Sequence, residues 1–135
     1  MSRETAGGQQ PLTIDFAVDR RSASVARRVA AATLRGHRVP DELTSDIVQV
    51  VSELVTNAIK HGAAPASLEV ECVTAQIVVR VRDGGAGLPV LREQSVPPVE
   101  GGHGLRLVHA LATRWGYSRE RRGVPGKQVW AEFRR

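Results

Sequence analysis

The sequence predicts an α+β fold: a two-layer α/β sandwich with a mixed, mainly antiparallel sheet and its helices on one face. Three observations carry this reading. Short runs alternate apolar and polar residues, the period of a half-buried strand. Two longer stretches repeat their apolar residues at helical spacing. Four of the strand runs fall into adjacent pairs, which read as hairpins. The resulting order is strand, helix, helix, strand, strand, helix, strand, strand. Hairpins with helices gathered on one side describe a two-layer architecture.

Residues 1–11 are polar and Gly-rich and are expected to be a disordered lead-in, with one domain over 12–135. Leu12, Ile14 and Phe16 alternate with Thr13 and Asp15 as a short strand. Ser22 to Arg35 carries Val25, Val29 and Ala32 at helical spacing and stops at Gly36. Pro40-Asp41-Glu42 opens a second helix, since proline suits a helix start and acids suit the positive end of the dipole. Its apolar positions are Leu43, Ile47, Val50, Val51, Leu54, Val55, Ala58 and Ile59, and His61-Gly62 ends it. Leu68, Val70 and Cys72 share one face of the next strand, with Glu69 and Glu71 opposite. Ile77, Val79 and Val81 share the inner face of its partner, with Arg80 and Arg82 outside. Those outer acids and arginines are placed to pair across a hairpin. After a loop from Gly84 to Gly102, Gly104–Thr113 reads as a short helix with Leu105, Val108, Leu111 and Ala112 as its apolar positions. Strands near Trp115–Glu120 and Lys127–Phe133 flank a turn at Gly123-Val124-Pro125-Gly126.

The composition narrows the class. The chain has 135 residues, 41% hydrophobic and 24% charged, with a formal net charge of +5. That is one soluble globular domain. Cys72 is the sole cysteine, so no internal disulfide forms. No apolar run is long enough for a membrane span, and the polar N-terminus lacks a signal peptide's apolar stretch. A cytoplasmic location is expected. The charge is uneven: residues 114–135 hold seven basic side chains against two acidic ones, while residues 1–113 balance at 12 against 12. The basic C-terminal hairpin, Arg121 and Arg122 included, is therefore expected to meet an acidic protein surface. Nucleic acid is not the expected partner, because no DNA-binding motif accompanies the charge.

On the second helix, at ~100° per residue, Glu53, Asn57 and Lys60 lie together at the margin of the apolar stripe, with His61 slightly inside it. They suit either a ligand lying between helix and loop or an ordinary solvated edge. Asp83 continues the parity of Ile77, Val79 and Val81, so its carboxylate points inward and needs a partner. A ligand amine and the turn at Gly84-Gly85 are both candidates. Gly101-Gly102-His103-Gly104 opens into a helix, where backbone N–H groups can receive phosphate oxygens, although turn glycines have the same composition. A complete G-x-G-x-x-G, a phosphate loop, zinc-ligand spacing and a nucleophile elbow are all absent.

Three motifs stand in order: Glu53-Leu54-Val55-Thr56-Asn57-Ala58-Ile59-Lys60-His61, Val81-Arg82-Asp83-Gly84-Gly85-Ala86-Gly87-Leu88-Pro89, and Gly102-His103-Gly104-Leu105-Arg106-Leu107-Val108. Together they resemble the N, G1 and G2 boxes of the GHKL ATPase/kinase superfamily, which shares the Bergerat ATP-binding fold. The short chain looks most like the stand-alone anti-sigma-factor serine kinases of actinobacteria. The resemblance implies ATP and Mg²⁺ as cofactors. It implies Glu53 as general base and Asn57 as the Mg²⁺ ligand. Asp83 would accept from the adenine amino group, and Gly85 and Gly87 would turn the chain around the base. Gly102 and Gly104 would cradle phosphate, with Leu105, Arg106, Lys60 and His61 as neighbours. Residues 88–101 would form a lid. Family members commonly carry a threonine in the penultimate strand motif. Here Gln128 is read at that place, where a longer amide either hydrogen-bonds or crowds the pocket.

The function so implied is a protein serine/threonine kinase that phosphorylates a small STAS-type anti-sigma antagonist and sequesters a sigma factor. A homodimer is expected by the same resemblance. The alternative is a nucleotide-gated binding switch without phosphoryl transfer. A two-component histidine kinase would need a phosphoacceptor histidine upstream, and the helix before the N box has none. No membrane partner is expected.

Overall fold

The computed structural model describes residues 10–85, 103–119 and 126–135. The expected lead-in falls almost wholly outside them, as do the expected lid, the turn at 123–125, and Arg121 and Arg122. Eight elements follow in the predicted order: β1 (Leu12–Phe16), α1 (Arg21–Gly36), α2 (Asp41–His61), β2 (Ala66–Cys72), β3 (Gln76–Asp83), α3 (His103–Leu111), β4 (Arg114–Arg119) and β5 (Lys127–Arg134). The sheet order is β1-β2-β3-β5-β4, and each of these pairings is antiparallel. The helices pack together and α2 lies against the sheet, giving the predicted α+β architecture, with the sheet antiparallel in all its described pairings rather than mixed.

Alternation decides which face β2, β3 and β5 turn to the core. Ala66, Leu68, Val70 and Cys72 are buried on β2, Ile77, Val79 and Val81 on β3, and Val129, Ala131 and Phe133 on β5. Cys72 packs in this core, and burial pushes its thiol above the ordinary range. On the opposite face the expected cross-strand pairing appears at Arg80. Arg80 Nη1 donates to Glu69 Oε2 at 2.8 Å and to Glu71 Oε1 at 3.0 Å.

α2 buries Ile47, Val50, Val51, Leu54, Val55 and Ala58, the heart of its predicted stripe, while Leu43 and Ile59 are half-buried at its edges. Each fully buried Val, Leu or Ile contributes about 1.5–3 kcal/mol. α1 departs from expectation. Its buried residues are Ala26, Ala30 and Leu34, whereas Val25 is 46% exposed and Ala32 is exposed. The stripe is rotated by one residue because the small alanines, not the valines, let α1 approach α2 closely. Arg27 Nη1 then reaches Ser52 Oγ at 3.0 Å. At the start of α1, the Arg21 backbone N–H donates to Asp19 Oδ1 at 2.8 Å and holds that carboxyl below its ordinary value.

The end of α1 also differs from expectation. Gly36 is its last helical residue, and the left-handed residue is Arg38, with φ of 60°. Val39 N donates to Leu34 O at 3.0 Å and Arg38 N to Arg35 O at 2.9 Å. This is a Schellman arrangement, in which two terminal carbonyls gain partners. Val39 and Leu34 are both buried, as the hydrophobic contact of that motif requires. The contact turns the chain toward α2.

Candidate functional site

α2, β3 and β5 converge at one end of the sheet. Gly62 follows α2 with φ of −107°, and its N–H still donates to Ala58 O at 2.9 Å. The chain then folds against the end of β3, where Gly84 N donates to Ala63 O at 2.7 Å. A side chain at Gly62 would collide with the Asp83 carboxyl and the Ala58 carbonyl. Glycine is needed there for close approach.

Asp83 is 6% exposed and faces inward, as strand parity predicted. Its Oδ1 accepts from Gly85 N at 2.8 Å, so the turn-capping role is present. The same oxygen accepts from Lys127 Nζ at 3.0 Å. Lys127 is directly opposite Asp83 in the β3–β5 register and is 5% exposed. Sequence reasoning left Lys127 without a role. The signal was parity, since Lys127 is in phase with Val129, Ala131 and Phe133. Gly126, at φ of 140°, delivers the chain into this phase from a backbone region that favours glycine.

Gln128 is not at the expected place. Strand period puts it on the opposite face of the sheet, where its Oε1 accepts from Arg82 Nε at 2.8 Å. The residue that stands beside Asp83 is Lys127.

A cavity of about 20 Å³ lies at this convergence. α2 lines it with Leu54, Asn57, Ala58 and His61, β3 with Val81 and Asp83, and β5 with Lys127 and Val129. The structure therefore brings together Asn57, His61 and Asp83 of the predicted set. Glu53 is half-buried, one helical turn before Asn57. Lys60 is exposed at the end of α2. Gly85 sits against Asp83 and Gly62. Gly104 belongs to the first turn of α3, Leu105 is 4% exposed and Arg106 is exposed. Gly87 and Gly102 lie outside the described residues.

The chemistry of the corner is mixed: an apolar floor, one carboxylate, one ammonium, one carboxamide and one imidazole. A flat heteroaromatic ring with a polar edge suits apolar walls and a few directional groups. Among the described residues, no three His, Cys, Asp or Glu side chains are grouped to hold a metal. Mg²⁺ does not require such a cage, because it keeps waters and takes phosphate oxygens with one or two protein ligands. Asn57 lines the cavity, and its carboxamide can supply an oxygen ligand of that kind.

Residues 16–133 match the family model described as the histidine kinase-like ATPase domain. A stretch of 40 residues is 42% identical to the signal transduction histidine-protein kinase AfsQ2 of Streptomyces coelicolor, covering 30% of this chain and 8% of that protein. Among solved structures, the RsbU and RsbW domains of Rv1364c from Mycobacterium tuberculosis share the fold. The TM-score is 0.71 at 20% identity, over 93% of this chain and 32% of that one. The chain thus spans less than a tenth of the one relative and about a third of the other. No helix among the described residues is long and apolar enough to cross a membrane.

Proposed function

The chain belongs to the family of histidine kinase-like ATPase domains, and from that premise we propose that it is an ATP-binding regulator that acts as a protein serine/threonine kinase. The observation that carries the reading is the shared cavity: Asn57 on α2 and Asp83 on β3, far apart in sequence, face one space. Residues 12–135 form the nucleotide-binding domain. Asp83 receives the adenine amino group, and the apolar floor at Leu54, Val81 and Val129 takes the ring. Asn57 holds Mg²⁺, which neutralises charge on the phosphates when bound. Glu53, one turn from Asn57 on the same helix, accepts the proton of the attacking hydroxyl. The partners are a STAS-type antagonist, phosphorylated on serine or threonine, and a sigma factor, bound by the same domain as a homodimer in the cytoplasm. The RsbW domain named in the structural relative supports this choice.

The test mixes the protein with Mg-ATP and an antagonist domain encoded by a neighbouring gene. Phosphoserine or phosphothreonine should form on the antagonist, and Glu53→Gln should slow transfer by about 10²–10⁴-fold with ATP affinity retained. Undiminished transfer in that variant removes Glu53 as the base. ATP-dependent partner binding with no transfer in the wild type would favour a nucleotide-gated switch instead.

A further inference from the structure

We propose that Lys127 reads the base: with Asp83 it forms a donor–acceptor pair matched to the adenine edge, Asp83 accepting from the exocyclic amino group and Lys127 donating to ring nitrogen N1. This deepens the nucleotide-binding reading and rests on it. Lys127 and Asp83 are register partners, and their side chains are 6% and 4% exposed. The neighbouring inward positions are apolar: Val79 and Val81 on β3, Val129 and Ala131 on β5. An ion pair buried on such a face gives little net stability over an apolar pair of similar volume. Its place at the rim of the cavity, with both groups lining it, gives it a use that packing does not require.

The bonding capacity fits. Both described bonds to Asp83 fall on Oδ1, and a carboxylate offers about four acceptor sites over its two oxygens. The Lys127 ammonium carries three donors, of which Asp83 Oδ1 takes one. Adenine presents a donor at its amino group beside an acceptor at N1. A carboxylate beside an ammonium is the complement of that edge. About 20 Å³ holds roughly one water and not a purine, so a base enters only as lining side chains shift.

The experiment is a calorimetric titration of the full chain with Mg-ATP, Mg-1-deaza-ATP (a C–H in place of N1) and Mg-GTP. Wild-type protein should bind ATP about 10–100-fold more tightly than 1-deaza-ATP, the loss expected for one hydrogen bond from a charged donor. In Lys127→Met that difference should shrink to about twofold or less, because neither ligand then meets the ammonium. Equal wild-type affinity for ATP and 1-deaza-ATP overturns the proposal and leaves Lys127 as a structural partner of Asp83. That arm needs no variant and stands even if Lys127→Met folds poorly. Binding of GTP as tight as ATP overturns the adenine assignment. A folded wild-type protein that binds none of the three overturns the nucleotide reading itself.

Discussion

At the scale of single residues, the Asp83–Lys127 pair is the most consequential arrangement in the molecule. Its members lie 44 positions apart and face each other only because β3 and β5 pair in this register. Removing one partner strands the other charge away from water. Asp83→Ala should lower unfolding stability by about 3–5 kcal/mol in urea titration. Replacing both, Asp83→Leu with Lys127→Met, should recover much of that loss while still abolishing nucleotide binding. If the double variant is no more stable than the single, the pair is not the source of the cost. The carboxylate was legible in the sequence, since Asp83 continues an apolar parity. Its ammonium partner was not, because the resemblance drew attention to Gln128 and a one-residue shift on a strand changes the face.

At the scale of elements, α1 shows how local pattern and packing diverge. Periodicity alone makes Val25, Val29 and Ala32 as good a stripe as Ala26, Ala30 and Leu34. The neighbour decides: α2 presents a broad aliphatic face, and small residues allow the closer approach. Ala30 is fully buried, so Ala30→Leu should overpack the α1–α2 contact and cost about 1–3 kcal/mol by thermal or chemical unfolding. Val25→Ser, on the solvent side, should stay within about 0.5 kcal/mol. Were the two effects reversed in size, the rotation of the stripe would be wrong. α2 was read correctly because its apolar set is wide enough to leave one phase open. The core faces of β2, β3 and β5 were read correctly because alternation allows only two faces.

At the scale of the whole molecule, the site draws on three elements of a single core, so a ligand there should stabilise the chain as a unit. Mg-ATP at about a hundredfold excess over its Kd should add about 2.7 kcal/mol to unfolding stability and raise the melting temperature. The gain should vanish in Asp83→Ala, which a thermal melt with and without Mg-ATP would check. The charge also reads differently once folded. Within the basic C-terminal stretch, Lys127 is spent on Asp83, Arg114 Nε lies 3.4 Å from Glu132, and Arg135 donates to the His37 and Val73 carbonyls. Part of the net +5 therefore ties the end of the chain to its own body. The sequence by itself determined the element order, the two-layer class and the inward direction of Asp83, because those follow from period and parity, which are local. Only the tertiary structure decided which face of α1 is buried, where the chain leaves that helix, and that Lys127 lies directly opposite Asp83 at the cavity. Those depend on packing partners and strand register, which join residues far apart in the chain.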